Sequence, residues 1–188
     1  KKNKSRKLIY CPPNTLIRPM AKKLRKSNIE VGAQNCHEQE SYGAFTGSIN
    51  SLMLKNVGAK YVIIGHSENR QNGETDKLIN LKVKSAIKSG LKVIFCIGET
   101  LQQKRKRKTK EVLIKQINLG LNKIKSKNKV LIAYEPVWSI GTGLIPNSDE
   151  LFDTINFIKK KIRNLKVLYG GSVNPNNISK LKSINNID

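Results

Sequence analysis

The sequence predicts an α/β protein built from repeated strand–helix units, and three observations carry that expectation. Short, nearly continuous apolar runs rich in β-branched residues recur six times along the 188 residues. Amphipathic helical patterns lie between them. Each run closes in a polar or glycine-containing cluster. Continuous rather than alternating apolar character points to strands buried on both faces, as in a parallel sheet. A flavodoxin-like open sheet and a (β/α)8 barrel both fit this alternation, and in either the carboxyl edge of the sheet is where ligands bind.

The strand candidates are residues 8–11, 31–34, 61–65, 93–98, 130–135 and 167–170, with starts 23, 30, 32, 37 and 37 residues apart. Such spacing leaves room for one helix per unit. In residues 111–125, Val112, Leu113, Ile117, Leu121 and Ile124 share one helical face, and in 149–163 Leu151, Phe152, Ile155, Ile158 and Ile162 do the same. Ser148 is the expected N-cap of the latter, with Asp149 and Glu150 complementing its first turn. Asn174-Pro175 reads as a cap and first helical residue opening 176–182. Residues 75–88 form a further helix closed by Ser89-Gly90, and shorter helices fit 19–26 and 50–57.

Composition narrows the class. Thirty-six cations against 13 acids give a formal net charge of +23, yet 38% hydrophobic and 26% charged residues describe a globular chain. No run reaches the roughly 18 apolar residues of a membrane span, and no signal-peptide core follows Lys1. Cys11, Cys36 and Cys96, odd in number and widely spaced, do not make a disulfide scaffold and read as thiols of a reducing compartment. The charge invites a nucleic-acid reading. However, 29 of the cations are Lys and only 7 Arg, whereas base readout favours Arg, and 5% aromatic content offers no stacking platform. Only residues 104–110 (KRKRKTK) form a true basic cluster, read first as an exposed loop and helix start.

The strand ends hold the chemistry. They read Gln34-Asn35, Gly65-His66-Ser67-Glu68, Gly98-Glu99, Glu135-Pro136 and Gly170-Gly171-Ser172. His66 and Glu135 each follow a strand core directly. Brought together, a histidine and a carboxylate supply an electrophile and a base for proton transfer beside a carbonyl. Taken alone, each has a commoner structural role, the histidine as a hydrogen bonder and the glutamate as an ion-pair partner.

The local sequences are more specific. They are GAQNCHEQESYGAFTG at 32–47, YVIIGHSENR at 61–70, FCIGE at 95–99, AYEPVWSIGTG at 133–143 and YGGSVNP at 169–175. In this order and spacing, with Cys11-Pro12-Pro13, they closely resemble the triosephosphate isomerase family over essentially the whole chain. The resemblance implies a (β/α)8 TIM barrel, here incomplete, with about six of eight βα units in a single partial domain over residues 1–188. It also implies interconversion of D-glyceraldehyde 3-phosphate and dihydroxyacetone phosphate through an enediolate, in glycolysis and gluconeogenesis, in the cytoplasm, with no cofactor and no metal.

Residue by residue, the resemblance makes His66 the electrophile and Glu135 the base. Pro136, Val137, Trp138, Ser139, Ile140, Gly141, Thr142 and Gly143 match the lid that closes over the phosphate. The Gly141 amide and Ser172 match phosphate contacts, and Gly170 and Gly171 let backbone N–H groups approach an anion. Tyr169 matches the residue that hydrogen-bonds the closed lid, and Glu68 a supporting carboxylate beside the histidine. The loop bounded by Asn35 and Gly47, with Thr46 near its tip, matches the one that inserts into the neighbouring subunit of a homodimer. His37, at its base, has a structural role. Triose phosphate is the expected partner, with neither membrane nor nucleic acid.

The chain also departs from the family pattern. No Asn-x-Lys motif precedes Leu8, and the chain stops at Asp188, about where the eighth strand would begin. Residues 104–110 are unusually basic, and Ser48 and Asn69 stand where charged residues are common. Six strands cannot close an eight-stranded barrel, so the sequence is expected to be an internal fragment with little activity alone. The alternative is a basic, non-catalytic nucleic-acid-binding protein on a degenerate barrel scaffold.

Overall fold

The computed structural model describes residues 7–188, so what was expected of the cationic stretch at residues 1–6 lies outside the described residues. The strands are β1 (Leu8–Tyr10), β2 (Ile29–Ala33), β3 (Tyr61–Ile64), β4 (Lys92–Ile97), β5 (Val130–Tyr134) and β6 (Val167–Tyr169). The helices are α1 (Ile17–Lys23), α2 (Ser51–Asn56), α3 (Ser67–Gln71), α4 (Asp76–Lys88), α5 (Leu101–Arg105), α6 (Thr109–Gly120), α7 (Ser148–Lys161) and α8 (Ile178–Lys182). All six expected strands form, and the described residues cluster into two compact units. No helix among them is long and apolar enough to cross a membrane.

One unit holds the described residues up to Ile64 together with Leu81–Val93. In it β1, β2 and β3 are parallel neighbours in that order, with Leu8 opposite Ile29 and Gly32 opposite Tyr61. Gly32 has no room for a side chain, because a Cβ there would press on Cys11 Sγ and Tyr61 Cβ. The apolar residues of these strands (Val31, Ala33, Val62 and Ile64) are buried with Ile17, Leu54, Val83 and Ala86. α2 begins where Asn50 Oδ1 accepts the Met53 amide at 2.9 Å, an N-cap that satisfies an otherwise unpaired donor. α1 begins two residues ahead of the expected Pro19, which sits in the first turn where its missing N–H costs nothing.

The second unit, Gly65–Asn80 with Ile94–Asp188, carries β4, β5 and β6 as neighbours in that order. Tyr134 lies opposite Tyr169, and the Glu135 amide donates to the Ile97 carbonyl at 2.8 Å. Phe95, Ile97, Leu113, Ile132, Leu151, Ile155 and Ile158 form its buried centre. α6 runs from Thr109 to Gly120 rather than over 111–125. Gly120 abuts the Phe95 ring, which leaves no space for a Cβ, and Leu121 and Ile124 are buried in the turns that follow.

Two caps differ from expectation. Asn147, not Ser148, caps α7, its Oδ1 accepting the Asp149 amide at 3.0 Å, so Ser148 becomes the first helical residue. Asn174 Oδ1 accepts the amides of Asn176 (2.9 Å) and Asn177 (3.2 Å). It therefore closes a turn over Pro175, and α8 starts only at Ile178. The same kind of bond acts in opposite senses: at Asn147 it caps the helix and starts α7 one residue earlier, whereas at Asn174 it closes a separate turn and delays α8.

Candidate active site

The site lies within the second unit. β3 ends at Ile64, and Gly65 turns the chain at φ +78°, a conformation that favours glycine. His66 follows as the N-cap of α3, its Nδ1 accepting the Glu68 amide at 3.4 Å. A nitrogen that accepts an N–H carries no proton, so in the neutral ring the proton sits on Nε2. Nε2 faces Glu135 Oε1 at 3.7 Å. Arg70 fastens this turn, with Nε donating to Gly65 O at 2.7 Å, one Nη to Cys96 O at 3.2 Å, and the other to Asp76 Oδ1 at 2.7 Å.

Glu135 follows β5 directly and is buried, its side chain 8% exposed. Burial raises its pKa above the usual carboxylate range. A hydrogen bond from the Cys96 thiol, the proximity of His66 and the Ser67 amide oppose that shift without cancelling it. Two glycines make the space. A Cβ on Gly98 would overlap the Glu135 backbone carbonyl, and one on Gly170 would come within 2.8 Å of Glu135 Cγ. Glu68 lies outside this enclosure, 77% exposed, with Oε2 3.8 Å from His66 Nδ1 and beyond hydrogen-bond range.

The stretch from Pro136 to Gly143 leaves β5 through a short 3-10 turn, Val137–Ser139. Gly141 and Gly143 both adopt positive φ (+70° and +76°). Ser139 is fully buried and anchors the segment. Its Oγ lies 3.2 Å from Tyr169 Oη, and its carbonyl accepts the Ser172 hydroxyl at 2.5 Å and the Thr142 hydroxyl at 3.1 Å. The Gly143 amide donates to Ser172 Oγ at 3.3 Å. A Cβ on Gly171 would overlap Tyr169 Oη and Ser139 Oγ, so a larger residue here would displace these lid contacts. Gly141 is exposed, with open space where a Cβ would stand, and it is Gly143 whose amide reaches Ser172. The half-exposed Ile140 completes the loop.

Reading from sequence missed a buried network beneath this loop. Glu99 accepts the Trp138 indole N–H at 2.9 Å and the Tyr134 hydroxyl at 3.2 Å. Burial raises the Glu99 pKa, with Trp138 and Tyr134 opposing the rise. From sequence alone Cys96 likewise reads only as a thiol. The signal for both was the FCIGE segment, where an acid and a thiol close a strand that is otherwise apolar.

A model of the triosephosphate isomerase family matches residues 1–188. The chain belongs to that family. It is 42% identical over 195 residues to the triosephosphate isomerase of Dictyoglomus thermophilum, covering 97% of this chain and 78% of that protein. To that of Trichodesmium erythraeum it is 44% identical over 186 residues, covering 97% and 76%. The crystal structure of the Bartonella henselae triosephosphate isomerase superposes with a TM-score of 0.88 at 36% identity, covering 96% of this chain and 77% of that one. The fold is accordingly that of the (β/α)8 TIM barrel, of which six strands are described, and the activity is that of an aldose–ketose isomerase acting on a triose phosphate.

Proposed function

We propose that Glu135 is the base and His66 the electrophile of this isomerisation. The supporting observation is the 3.7 Å approach of His66 Nε2 to a buried Glu135 carboxylate whose pKa is raised by that burial. Moving a proton between adjacent carbons builds negative charge on the carbonyl oxygen, so one group must take the proton from carbon while another donates to oxygen. Glu135 removes the proton from the carbon beside the carbonyl. The Nε2–H of His66 passes its proton to that oxygen, Nε2 takes up the proton of the neighbouring hydroxyl, and as Glu135 returns its proton to the other carbon the second oxygen becomes the carbonyl. A carboxylate base paired with a neutral histidine is this family's established chemistry.

The Gly141 amide and Ser172 are proposed to hold the phosphate, with Gly170 and Gly171 allowing close approach of the backbone to the anion. The lid from Pro136 to Gly143 excludes water and so protects the enediolate from phosphate elimination. Tyr169 secures the lid, and Glu68 supports His66 through its backbone amide while its carboxylate stays outside hydrogen-bond range. We further propose that residues 1–188 belong to one catalytic domain, that the protein is cytoplasmic, and that it pairs as a homodimer through the loop bounded by Asn35 and Gly47. That loop exposes Tyr42 (59%) and Phe45 (39%), large apolar groups whose burial would favour association.

The test is a coupled assay of glyceraldehyde 3-phosphate turnover in the full-length enzyme. Glu135→Asp, which withdraws the carboxylate by one methylene, should lower kcat by about 100-fold. His66→Gln should lower it by about 100-fold or more while leaving the fold intact. Unchanged turnover in either variant would remove that residue from its assigned role.

A further inference from the structure

The basic run at residues 104–110 is the sequence motif that the isomerase reading leaves without a role, and its first member does not behave like the others. Arg105, Lys106, Arg107 and Lys108 are exposed, whereas the Lys104 side chain is turned inward and is 28% exposed. Its Nζ stands 3.8 Å from the centroid of the Trp138 ring. The same ammonium pairs with Glu150 at 2.6 Å. The Trp138 edge is meanwhile held by Glu99 through the 2.9 Å indole bond. The indole is therefore fixed on its face by a cation and at its edge by a buried carboxylate.

These partners come from the two ends of the lid. Trp138 lies in the 3-10 turn that opens it, and Glu150 in the first turn of α7, seven residues beyond Gly143. We propose that Lys104 is a positioning residue for the isomerisation: a cross-brace that ties the entry and exit of the lid together and holds Trp138 where the lid can dock on Tyr169 and Ser172. This rests on the proposed role of the lid in holding phosphate, and it adds the part that sets how readily the lid docks.

The physics favours this contact. A cation over an indole face within about 6 Å is attracted by the ring quadrupole, most strongly when partly desolvated. Glu150 pairs with the ammonium, whose charge also acts on the buried Glu99 and opposes the rise in its pKa from burial. Removing the ammonium leaves the indole pinned at its edge alone. The hinge then samples undocked arrangements, each of which forfeits the Ser139 and Gly143 contacts to Ser172. The expected signature is weaker phosphate binding, because a ligand that needs the docked lid binds in proportion to the docked fraction.

Trp138 is the sole tryptophan of residues 1–188, and subtracting the emission of a Trp138→Phe variant isolates its signal in the full-length enzyme. The test compares Lys104→Met, Lys104→Arg and Lys106→Met in the full-length enzyme. Each is titrated with inorganic phosphate while Trp138 emission is followed, alongside KM and kcat for glyceraldehyde 3-phosphate and the thermal midpoint. Lys104→Met should change the emission, weaken phosphate binding about three- to tenfold and raise KM by a similar factor. Lys104→Arg should restore all three, and Lys106→Met should alter none. Equal weakening in Lys104→Met and Lys106→Met, abolished by added salt, would mean general electrostatic attraction and overturn the proposal. A lowered thermal midpoint with phosphate binding, emission and KM unchanged would also overturn it. Because the phosphate titration needs no turnover, it stands even if His66 and Glu135 prove to be wrongly assigned.

Discussion

Gly98 and Glu135 approach so closely that a side chain on the first would overlap the backbone carbonyl of the second. The contact sits where β4 and β5 end, beside the Glu135 amide bond to Ile97. A strand-end glycine thus fixes where the carboxylate leaves the sheet. Placement of the base depends on backbone packing as much as on the base itself.

Gly98→Ala should therefore cost more than a typical core substitution. The backbone carbonyl cannot yield as a flexible side chain would, so the strands must shift, at about 1–3 kcal/mol or more. Denaturant unfolding checks the stability loss, and kcat should fall as well because Glu135 is displaced. An alanine variant with parental stability and turnover would show that β4 and β5 separate easily at this point.

Cys96 donates a hydrogen bond that favours the charged form of Glu135. Its removal in Cys96→Ala should raise the Glu135 pKa further. Since the base must be ionised, the acid limb of the kcat/KM profile should move to higher pH, with the plateau largely retained. An acid limb that stays in place would mean that the thiol does not tune the base.

Burial sets the sign of a stability effect at the same residue. Folded Glu135 binds its proton more tightly than the unfolded chain does. Its contribution to stability therefore falls as pH rises from the ordinary glutamate value, roughly 4.3, through its raised folded value. Glu135→Gln removes that loss. Relative to the parent, it should unfold at higher temperature at pH 7, and the advantage should shrink below about pH 4. Thermal midpoints across this range read the effect directly, and a constant difference would contradict it.

Ser139 is the buried polar anchor of the lid segment. Ser139→Ala loses the contact with Tyr169 Oη but keeps the carbonyl that accepts Ser172. About 0.5–1.5 kcal/mol of lid docking should be lost, seen as a rise in KM for glyceraldehyde 3-phosphate, and Tyr169→Phe should reproduce it without adding to it. Fully additive effects would show that the two hydroxyls act separately.

Much of this was legible in the sequence because strand runs buried on both faces leave a strong apolar signal, and β3, β4 and β5 lie within one residue of their expected bounds. His66 and Glu135 were legible as the first polar residues after such runs. Helix starts were less so, since Asn147 and Asn174 could each bond their own backbone in more than one way. The Glu99 network was hidden for a different reason. An acid that neutralises nothing in its own segment gives no sign that it receives Trp138 and Tyr134 from 35 or more residues away. Lys104 was hidden by its neighbours, a single inward cation in a run that otherwise reads as solvated surface.

The central claim is that Glu135 carries a proton between the two carbons through an enediolate. The measurement that tests it most directly is the isotopic content of dihydroxyacetone phosphate formed from glyceraldehyde 3-phosphate in deuterated water. A proton held on a carboxylate exchanges with solvent during the life of the intermediate. The parent enzyme should therefore place carbon-bound deuterium in the product, and Glu135→Gln should form product and exchange label about 100-fold or more slowly. Carbon-bound deuterium entering the product at an undiminished rate in Glu135→Gln would contradict the account.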